Sequence, residues 1–206
     1  MKKFLLLTFM FMFALVPTYS QAEPKTKAET EALLKDFSIK LTMTAQGQGA
    51  YYFTQIVCGE GCYSEVQSER KHDILFADFA ANKVYMLDVS EKEYMVDSLE
   101  PAEKAALHKF DLMLGSHLFL HVQDKGDEKF IKTGSEKVAG RDADVYTYKF
   151  NDETAATYWI DNEYGFTLKY IQTGRPSIHT EVTEFTTSGV TVKGLLNLDG
   201  YKLVEE

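Results

Sequence analysis

The chain has 206 residues, of which 31 are acidic and 22 are basic, so its formal net charge is −9 at pH 7. This acidic balance argues against nucleic acid as a partner and against unaided binding to anionic membranes. Beyond the amino-terminal segment no apolar run approaches membrane-spanning length, and no transmembrane helix is expected there.

The amino-terminal segment has the pattern of a secretory signal peptide. Met1-Lys2-Lys3 is a short positive head, Phe4 to Val16 is an apolar run, and small residues follow at Ser20-Gln21-Ala22. The run is too short for a stable membrane anchor, so cleavage after residue 22 is predicted. Residues 23–206 are then expected to form one domain, exported by the general route to the periplasm.

A helix and a series of strands are predicted for the first half of this domain. Thr26 can cap a helix over residues 26–37, in which Leu33, Leu34 and Phe37 form an apolar stripe. Period-two alternation of apolar and polar residues then predicts short strands separated by turn residues, which is typical of an antiparallel sheet. These predicted strands are 38–44, 50–57, 62–68, 73–79, 83–89 and 93–96.

The two cysteines of the chain, Cys58 and Cys62, flank a predicted hairpin tip at Gly59-Glu60-Gly61. In an oxidising compartment this spacing favours a local disulfide across the tip. A redox role is less well supported, because thiol-exchange enzymes use two residues between their cysteines. A metal site would need further ligands that the sequence does not identify.

A second helix is predicted at mid-chain. Ser98 can cap it, Pro101 lies in its first turn and Gly115 ends it, which gives residues 98–114. Leu107, Phe110 and Met113 contribute to one broad apolar face. That face must cover something, and the sheet is the only large partner.

The late part of the chain returns to strands, with predictions at 129–138, 177–185 and 190–196. Between them, residues 139–171 show three alternating runs separated by short polar turns, which indicates an antiparallel meander. Its apolar positions are unusually aromatic, and the residues that alternation places on inward faces are Tyr146, Tyr148, Phe150, Tyr158, Ile160, Phe166, Leu168 and Tyr170. Trp159 falls on the face opposite Tyr158, and whether that face lines a cavity or the outer surface stays open.

Catalytic motifs are missing from the sequence, including nucleophile elbows, phosphate-binding loops and zinc-protease helices. His117 and His121 would share a helix face and could bind a metal with Asp124, but this spacing is common by chance. We therefore expect neither an enzyme nor a cofactor.

The order of elements resembles the LolA/LolB-like superfamily of periplasmic lipoprotein carriers and lipid-binding relatives. The residues that carry the resemblance are Val138 to Tyr146, Tyr158 to Asp161, Gly165 to Lys169 and Gly200 to Val204. The resemblance implies a mainly β fold, in which one large curved antiparallel sheet forms an unclosed β-barrel with two or three helices over its concave side. It also implies that the cavity holds acyl chains. The sequence departs from the family at Asp199, where carriers commonly have proline, and in its cysteine hairpin.

Two functions are compatible with these patterns. The first is a carrier or binder of a lipid, a lipoprotein or another apolar ligand, with the mid-chain helix as a lid over an aromatic wall. The residues expected to line that cavity are Ile39, Leu41, Met43, Leu107, Phe110, Met113, Tyr146, Tyr148, Phe166, Leu168 and Tyr170. The alternative is a non-enzymatic sensor or interaction module of the cell envelope, in which the sheet edge recruits another envelope protein.

Overall fold

The computed structural model describes residues 35–107, 129–174 and 176–204. The first six strands are β1 (Phe37–Ala45), β2 (Gly49–Cys58), β3 (Gly61–Ser68), β4 (His72–Asp78), β5 (Lys83–Asp88) and β6 (Glu93–Ser98). One helix follows at Pro101–Leu107. The remaining strands are β7 (Lys129–Val138), β8 (Arg141–Phe150), β9 (Glu153–Asp161), β10 (Thr167–Gln172), β11 (Ile178–Thr186) and β12 (Lys202–Leu203).

These twelve strands belong to one sheet, with the order β12-β6-β5-β4-β3-β2-β1-β11-β10-β9-β8-β7, which does not close on itself. The predicted mainly β fold with a single large, unclosed sheet is therefore confirmed. The expectation of two or three helices is not supported, since the described residues contain one. None of the described helical residues forms a segment long and apolar enough to cross a membrane.

The chain divides into two compact units. The described part of the first unit is residues 35–107 and 180–204, and that of the second is residues 129–174 and 176–179. The second unit is thus inserted, in sequence, between two parts of the first.

In the first unit, β1 to β6 pair consecutively as antiparallel neighbours. Phe37, Ile39 and Leu41 alternate along one face of β1 and are almost fully buried. The predicted helix over 26–37 is wrong at its end, because β1 begins at Phe37. The rest of that predicted helix lies outside the described residues, as do the predicted signal peptide and residues 108–114 of the mid-chain helix.

The predicted disulfide between Cys58 and Cys62 is not formed, because both cysteines are free and buried. Cys58 pairs with Gly61, whereas Cys62 pairs with Val57. Side chains on a strand alternate between the two faces of the sheet, and paired residues share a face. Cys58 and Cys62 therefore project from opposite faces, and only a change of strand register would align them for a bond.

The two thiols accordingly have different neighbours. Cys58 lies in a small core cluster with Phe76 and Val192. Cys62 is fully buried on the other face, with its Sγ 3.7 Å from Ser64 Oγ. Burial raises the pKa of the Cys62 thiol to about 11, so this thiol is protonated at neutral pH.

The predicted strand at 190–196 is also wrong. Val192 is buried against Cys58 and Phe76, and Val190 and Leu196 pack around the same cluster. These side chains bury their apolar surface by packing on one face of the sheet, so the backbone of residues 190–196 does not have to pair with a strand to bury them. The segment then enters β12, whose two residues pair in parallel with β6.

In the second unit, β7 to β10 form the antiparallel meander that the sequence predicts. Asn151 and Asp152, with φ of 49° and 62°, make the two-residue turn between β8 and β9. Two positive φ values in succession require residues that tolerate the left-handed region, and Asn and Asp do so better than most. Gly165, with φ of 76°, serves the same purpose before β10.

Candidate functional site

Four tyrosines share one face of the second unit, and we call them the tyrosine face: Tyr146, Tyr148, Tyr158 and Tyr170. Tyr158 is the direct cross-strand partner of Tyr146 on one side and of Tyr170 on the other. Tyr158 and Tyr170 are buried, whereas Tyr146 and Tyr148 are half-buried. The strand alternation of the meander thus brings three tyrosines into one row across three strands.

The rings of this face make an apolar surface with polar tips. The ring centroids of Tyr158 and Tyr170 are 4.9 Å apart, and the tyrosines pack with Ala156, Ile160 and Ile178. Tyr170 donates its hydroxyl hydrogen to Gln172 Oε1 at 2.7 Å. Tyrosine suits a surface of this kind because its ring is apolar while its hydroxyl can bond a polar group.

Burial sets the chemistry of these hydroxyls. Desolvation is the main reason why the pKa of Tyr158 is raised, and it also raises the pKa of Tyr170. Both phenols therefore remain neutral at physiological pH. They can donate and accept hydrogen bonds, but they do not supply a phenolate nucleophile.

The other predicted cavity residues are distributed over both units. Phe166 and Leu168 lie in the second unit and are fully buried, with Leu168 at a register shift of β10 against β9. Ile39, Leu41, Met43 and Leu107 lie in the first unit, where all but Met43 are buried. Phe110 and Met113 lie outside the described residues. Tyr146, Tyr148 and Tyr170 are the predicted residues that the structure brings together.

Trp159 lies on the opposite face of β9 from Tyr158, as strand alternation indicates. Its side chain is 8% exposed and its Nε1 donates to Glu136 Oε2 at 2.8 Å. Lys169 Nζ lies 5.0 Å from the ring centroid. Trp159 is therefore covered by charged side chains and does not belong to the tyrosine face.

A buried ion pair lies near Trp159 on this opposite face. Asp161 is 1% exposed, and Arg141 donates to it through Nε at 2.5 Å and through Nη2 at 3.2 Å. The same carboxylate accepts the backbone N–H groups of Glu163 and Tyr164, so it also shapes the turn before β10.

The Arg141 charge is already neutralised. Its Nη2 also donates to Glu163 at 2.8 Å, and its guanidinium carbon lies 4.8 Å from the Tyr164 ring centroid. Partial burial acts to lower the pKa of Arg141, but its bonds to Asp161 and Glu163 outweigh that effect and raise the pKa. A shallow depression lined by Arg141, Asp142 and Glu163 is accordingly a poor anion site.

The described ranges contain no cluster of metal-binding side chains. Among residues 35–107, 129–174 and 176–204, no group of three or more His, Cys, Asp or Glu could hold a metal ion. His117, His121 and Asp124 lie outside these ranges, so the structure does not address that possible site.

Sequence reasoning missed two features that the structure reveals. Tyr158 completes the tyrosine face; alternation places it inward, but it is not among the residues expected to line the cavity. Gln55 is a fully buried amide in β2 whose Oε1 and Nε2 have no hydrogen-bond partner among the residues that the structure describes. Alternation places Gln55 on the same face of β2 as Phe53 and Val57, but it does not show that the amide is fully buried, because that burial depends on the pairing of three strands.

No protein-family model and no curated protein matches the sequence. Among solved structures, the chain is similar to an uncharacterized conserved protein from Thermus thermophilus, with 10% identity, a TM-score of 0.46, and coverage of 86% of this chain and 94% of the other. It is also similar to a chain in the MucA/MucB complex of Pseudomonas aeruginosa, with 16% identity, a TM-score of 0.45, and coverage of 82% and 58%. A crystal structure of MucB gives 14% identity, a TM-score of 0.43, and coverage of 83% and 61%. The chain thus spans about three fifths of the length of the chains matched in these last two structures. Sequence identities and TM-scores this low support no inference about function.

Proposed function

We propose that the protein is a non-enzymatic, periplasmic binder of an apolar ligand such as a lipid acyl chain, and that the tyrosine face forms part of its binding wall. The observation that carries this proposal is the row of Tyr146, Tyr158 and Tyr170 across three strands, with Tyr146 and Tyr148 only half-buried.

The chemistry of the tyrosine face fits a ligand with a long apolar part and a small polar end. Rings in contact give a continuous apolar surface, and the neutral hydroxyls can bond an ester or carboxyl group. Charged groups lie on both faces of this unit: Arg141, Glu136 and Lys169 lie on the face of Trp159, whereas Lys132 is level with Tyr146 and forms an ion pair with Asp144 on the tyrosine face.

Two measurements test this proposal. Native mass spectrometry of the purified protein, followed by organic extraction, should reveal a co-purified lipid, and a fluorescent fatty acid should bind the delipidated protein. Tyr146→Ser should weaken that binding about tenfold, since loss of one aromatic wall contact is worth roughly 1.4 kcal/mol. Tyr52→Ser is the matched control, because Tyr52 is 53% exposed on β2 of the other unit. A protein that carries no lipid and binds no fatty acid would refute the proposal.

A second candidate function is a protein-interaction module of the cell envelope. The observation in its favour is the exposure of Val96, Asp97 and Ser98 on β6, beyond the point where β12 pairs with that strand. Cross-linking in the periplasm should then capture one stoichiometric protein partner. Recovery of several unrelated proteins at low yield would count against this role.

A further inference from the structure

We infer that the first unit holds a second binding site, in which Gln55 and Ser64 bind the uncharged amide end of an aliphatic ligand while a row of half-buried apolar side chains holds its chain. The inference goes beyond the proposed function, because this site uses no residue of the tyrosine face and selects a different polar end.

The polar part of the site is a pair of neighbouring side chains on β2 and β3. Gln55 and Ser64 are direct cross-strand partners, and they are 1% and 2% exposed. Within the described part of the chain, neither Oε1 nor Nε2 of Gln55 has a hydrogen-bond partner. The Ser64 hydroxyl lies 3.7 Å from Cys62 Sγ, and sulfur is a weak hydrogen-bonding partner. Buried polar groups are normally hydrogen-bonded, so this amide indicates a partner that the described chain does not supply.

An apolar row continues from Ser64 along the same face of the sheet. Leu75 is the cross-strand partner of Ser64. Met86 follows opposite Leu75, and Met95 follows opposite Met86. Paired residues share a face, so these side chains lie in one row with Gln55. Neighbouring strands lie about 4.8 Å apart, and the row therefore extends about 14 Å beyond Ser64.

This row has the composition of a small-molecule site. Such sites are mostly apolar, with a few polar groups that fix the orientation of the ligand. Leu75, Met86 and Met95 are half-buried, whereas Gln55 is almost fully buried, so the row is more open toward β6. Methionine is unbranched and polarizable, and its side chain adapts to the shape of an apolar partner. The row can thus hold an alkyl chain whose polar end lies at Gln55.

The charges on this face exclude an ionised end group. The charged residues that alternation and register place on this face of β1 to β6 are all acidic: Asp73, Asp88, Glu93 and Asp97. Lys71, in the turn before β4, pairs with Asp73. A carboxylate ligand would therefore meet like charges on this face. A cation at Gln55 would lose its hydration with no carboxylate level with it, which is equally unfavourable.

A neutral amide is the end group that matches Gln55. The Gln55 side chain presents a carbonyl acceptor and an N–H donor side by side, and a second amide presents the complementary donor and acceptor. An ester has acceptors only, so it would leave the Gln55 carbonyl buried without a donor. Sites built to hydrogen-bond a donor reject analogues that lack it, for the same reason.

The burial of Gln55 has consequences for stability and for the rate of binding. An amide that bonds nothing destabilises the ligand-free protein, and residues that break a rule of core packing are expected at functional sites. A ligand that supplies the missing hydrogen bonds should raise the melting temperature. Because Gln55 and Ser64 are almost fully buried, the ligand reaches them only when this face opens, so association should be much slower than diffusion.

The test uses dodecanamide, dodecanoic acid and methyl dodecanoate, which share one alkyl chain and differ at the polar end. The protein is first freed of co-purified ligand on a hydrophobic resin, and binding of each radiolabelled compound is measured by equilibrium dialysis. We expect dodecanamide to bind the wild-type protein and to raise its melting temperature. Gln55→Met should weaken dodecanamide binding at least tenfold and should change the affinities for the acid and the ester by less than about twofold.

The variant has a built-in control for folding, because Gln55→Met is expected to be more stable than the wild-type protein. Gln67→Met, on the opposite face of β3 from Ser64, should leave the binding of all three compounds unchanged. Ser64→Ala should weaken dodecanamide binding severalfold, and it decides the question if Gln55→Met melts below the wild-type protein. The inference is overturned by any of three results: no binding of dodecanamide, unchanged binding by a folded Gln55→Met protein, or an equal loss of all three compounds.

The two proposed sites can fail separately. Tyr146→Ser should weaken fatty-acid binding and leave dodecanamide affinity unchanged, whereas Gln55→Met should do the reverse. A wild-type protein that binds dodecanamide but no fatty acid would refute the tyrosine face as a binding wall and support the site at Gln55. A wild-type protein that binds the fatty acid but not dodecanamide would refute the site at Gln55 alone.

Discussion

Replacement of Gln55 by methionine should make the protein more stable. Gln55 lies between Ile39 on β1 and Ser64 on β3, and Phe53 and Val57 flank it on the same face of β2. It is 1% exposed, and within the described part of the chain neither polar atom of its amide has a hydrogen-bond partner. Methionine has the same unbranched length and no group that needs one.

The expected gain can be worked from these observations. A buried amide without hydrogen bonds destabilises the folded state by roughly 1–3 kcal/mol, and a swap of similar volume in a core usually costs less than 1.5 kcal/mol. The free energy of unfolding should therefore rise by about 1–2 kcal/mol. For a protein of this size each 1 kcal/mol corresponds to a melting-temperature rise of roughly 2–4 °C.

The assay is urea denaturation, in which the midpoint should rise while the slope stays the same. Gln67→Met on the neighbouring strand β3 is the matched control, because Gln67 is exposed. That control should change stability by less than about 0.5 kcal/mol. A loss of more than about 1 kcal/mol in Gln55→Met would refute the reasoning, since it would mean that the Gln55 amide has a partner in the folded protein.

Three further predictions follow from the packing of other side chains. In denaturant both thiols of the chain, those of Cys58 and Cys62, should react with a thiol reagent, and in the native protein at pH 7 neither should. Burial raises the pKa of Cys62 from 9.0 to about 11, so the free energy of unfolding should fall as the pH rises from 9 to 11. Cys62→Ala should reduce that fall. Asp161→Asn should lower the free energy of unfolding by about 1–3 kcal/mol in urea titrations, because it removes the buried one of the two carboxylates that bind Arg141, and an effect below about 0.5 kcal/mol would contradict this. Fluorescence of Trp159 should be blue-shifted in the native protein and move to the red on unfolding, whereas a native spectrum like that of free tryptophan would show that the ring is not covered.

The strands were largely predictable because each needs only local alternation. The predicted strand at 129–138 has the observed bounds of β7, and the meander that follows was predicted with its turns. Alternation also placed Trp159 opposite Tyr158 correctly, although it could not tell what covered the ring. The tyrosine face needed only the additional fact that Tyr158 is level with its neighbours on both sides.

The errors arose where a side chain's surroundings depend on register or on distant packing. The cysteine spacing indicated a disulfide, but the register of the hairpin places Cys58 and Cys62 on opposite faces. The apolar residues of 190–196 indicated a strand, and they are instead buried flat against a sheet that is distant in sequence. Likewise, alternation puts Gln55 on the face of Phe53 and Val57, but its full burial follows from the pairing of β2 with β1 and β3.

The first unit is built from an early and a late stretch of the chain, and this affects how the protein folds. Thr183 donates to the backbone oxygen of Lys40 at 3.2 Å across 143 positions of sequence, and Lys40 also pairs with Glu184 at 2.8 Å. Val192 and β12 likewise meet strands formed more than 100 residues earlier. Contacts of such high sequence separation form slowly, because a long loop must close before they stabilise the chain. The first unit therefore cannot be complete until β12 has been synthesised. Until β11 is available, β1 remains unpaired on the side away from β2. Because an unpaired strand edge promotes aggregation, newly made chains should depend on protection from it.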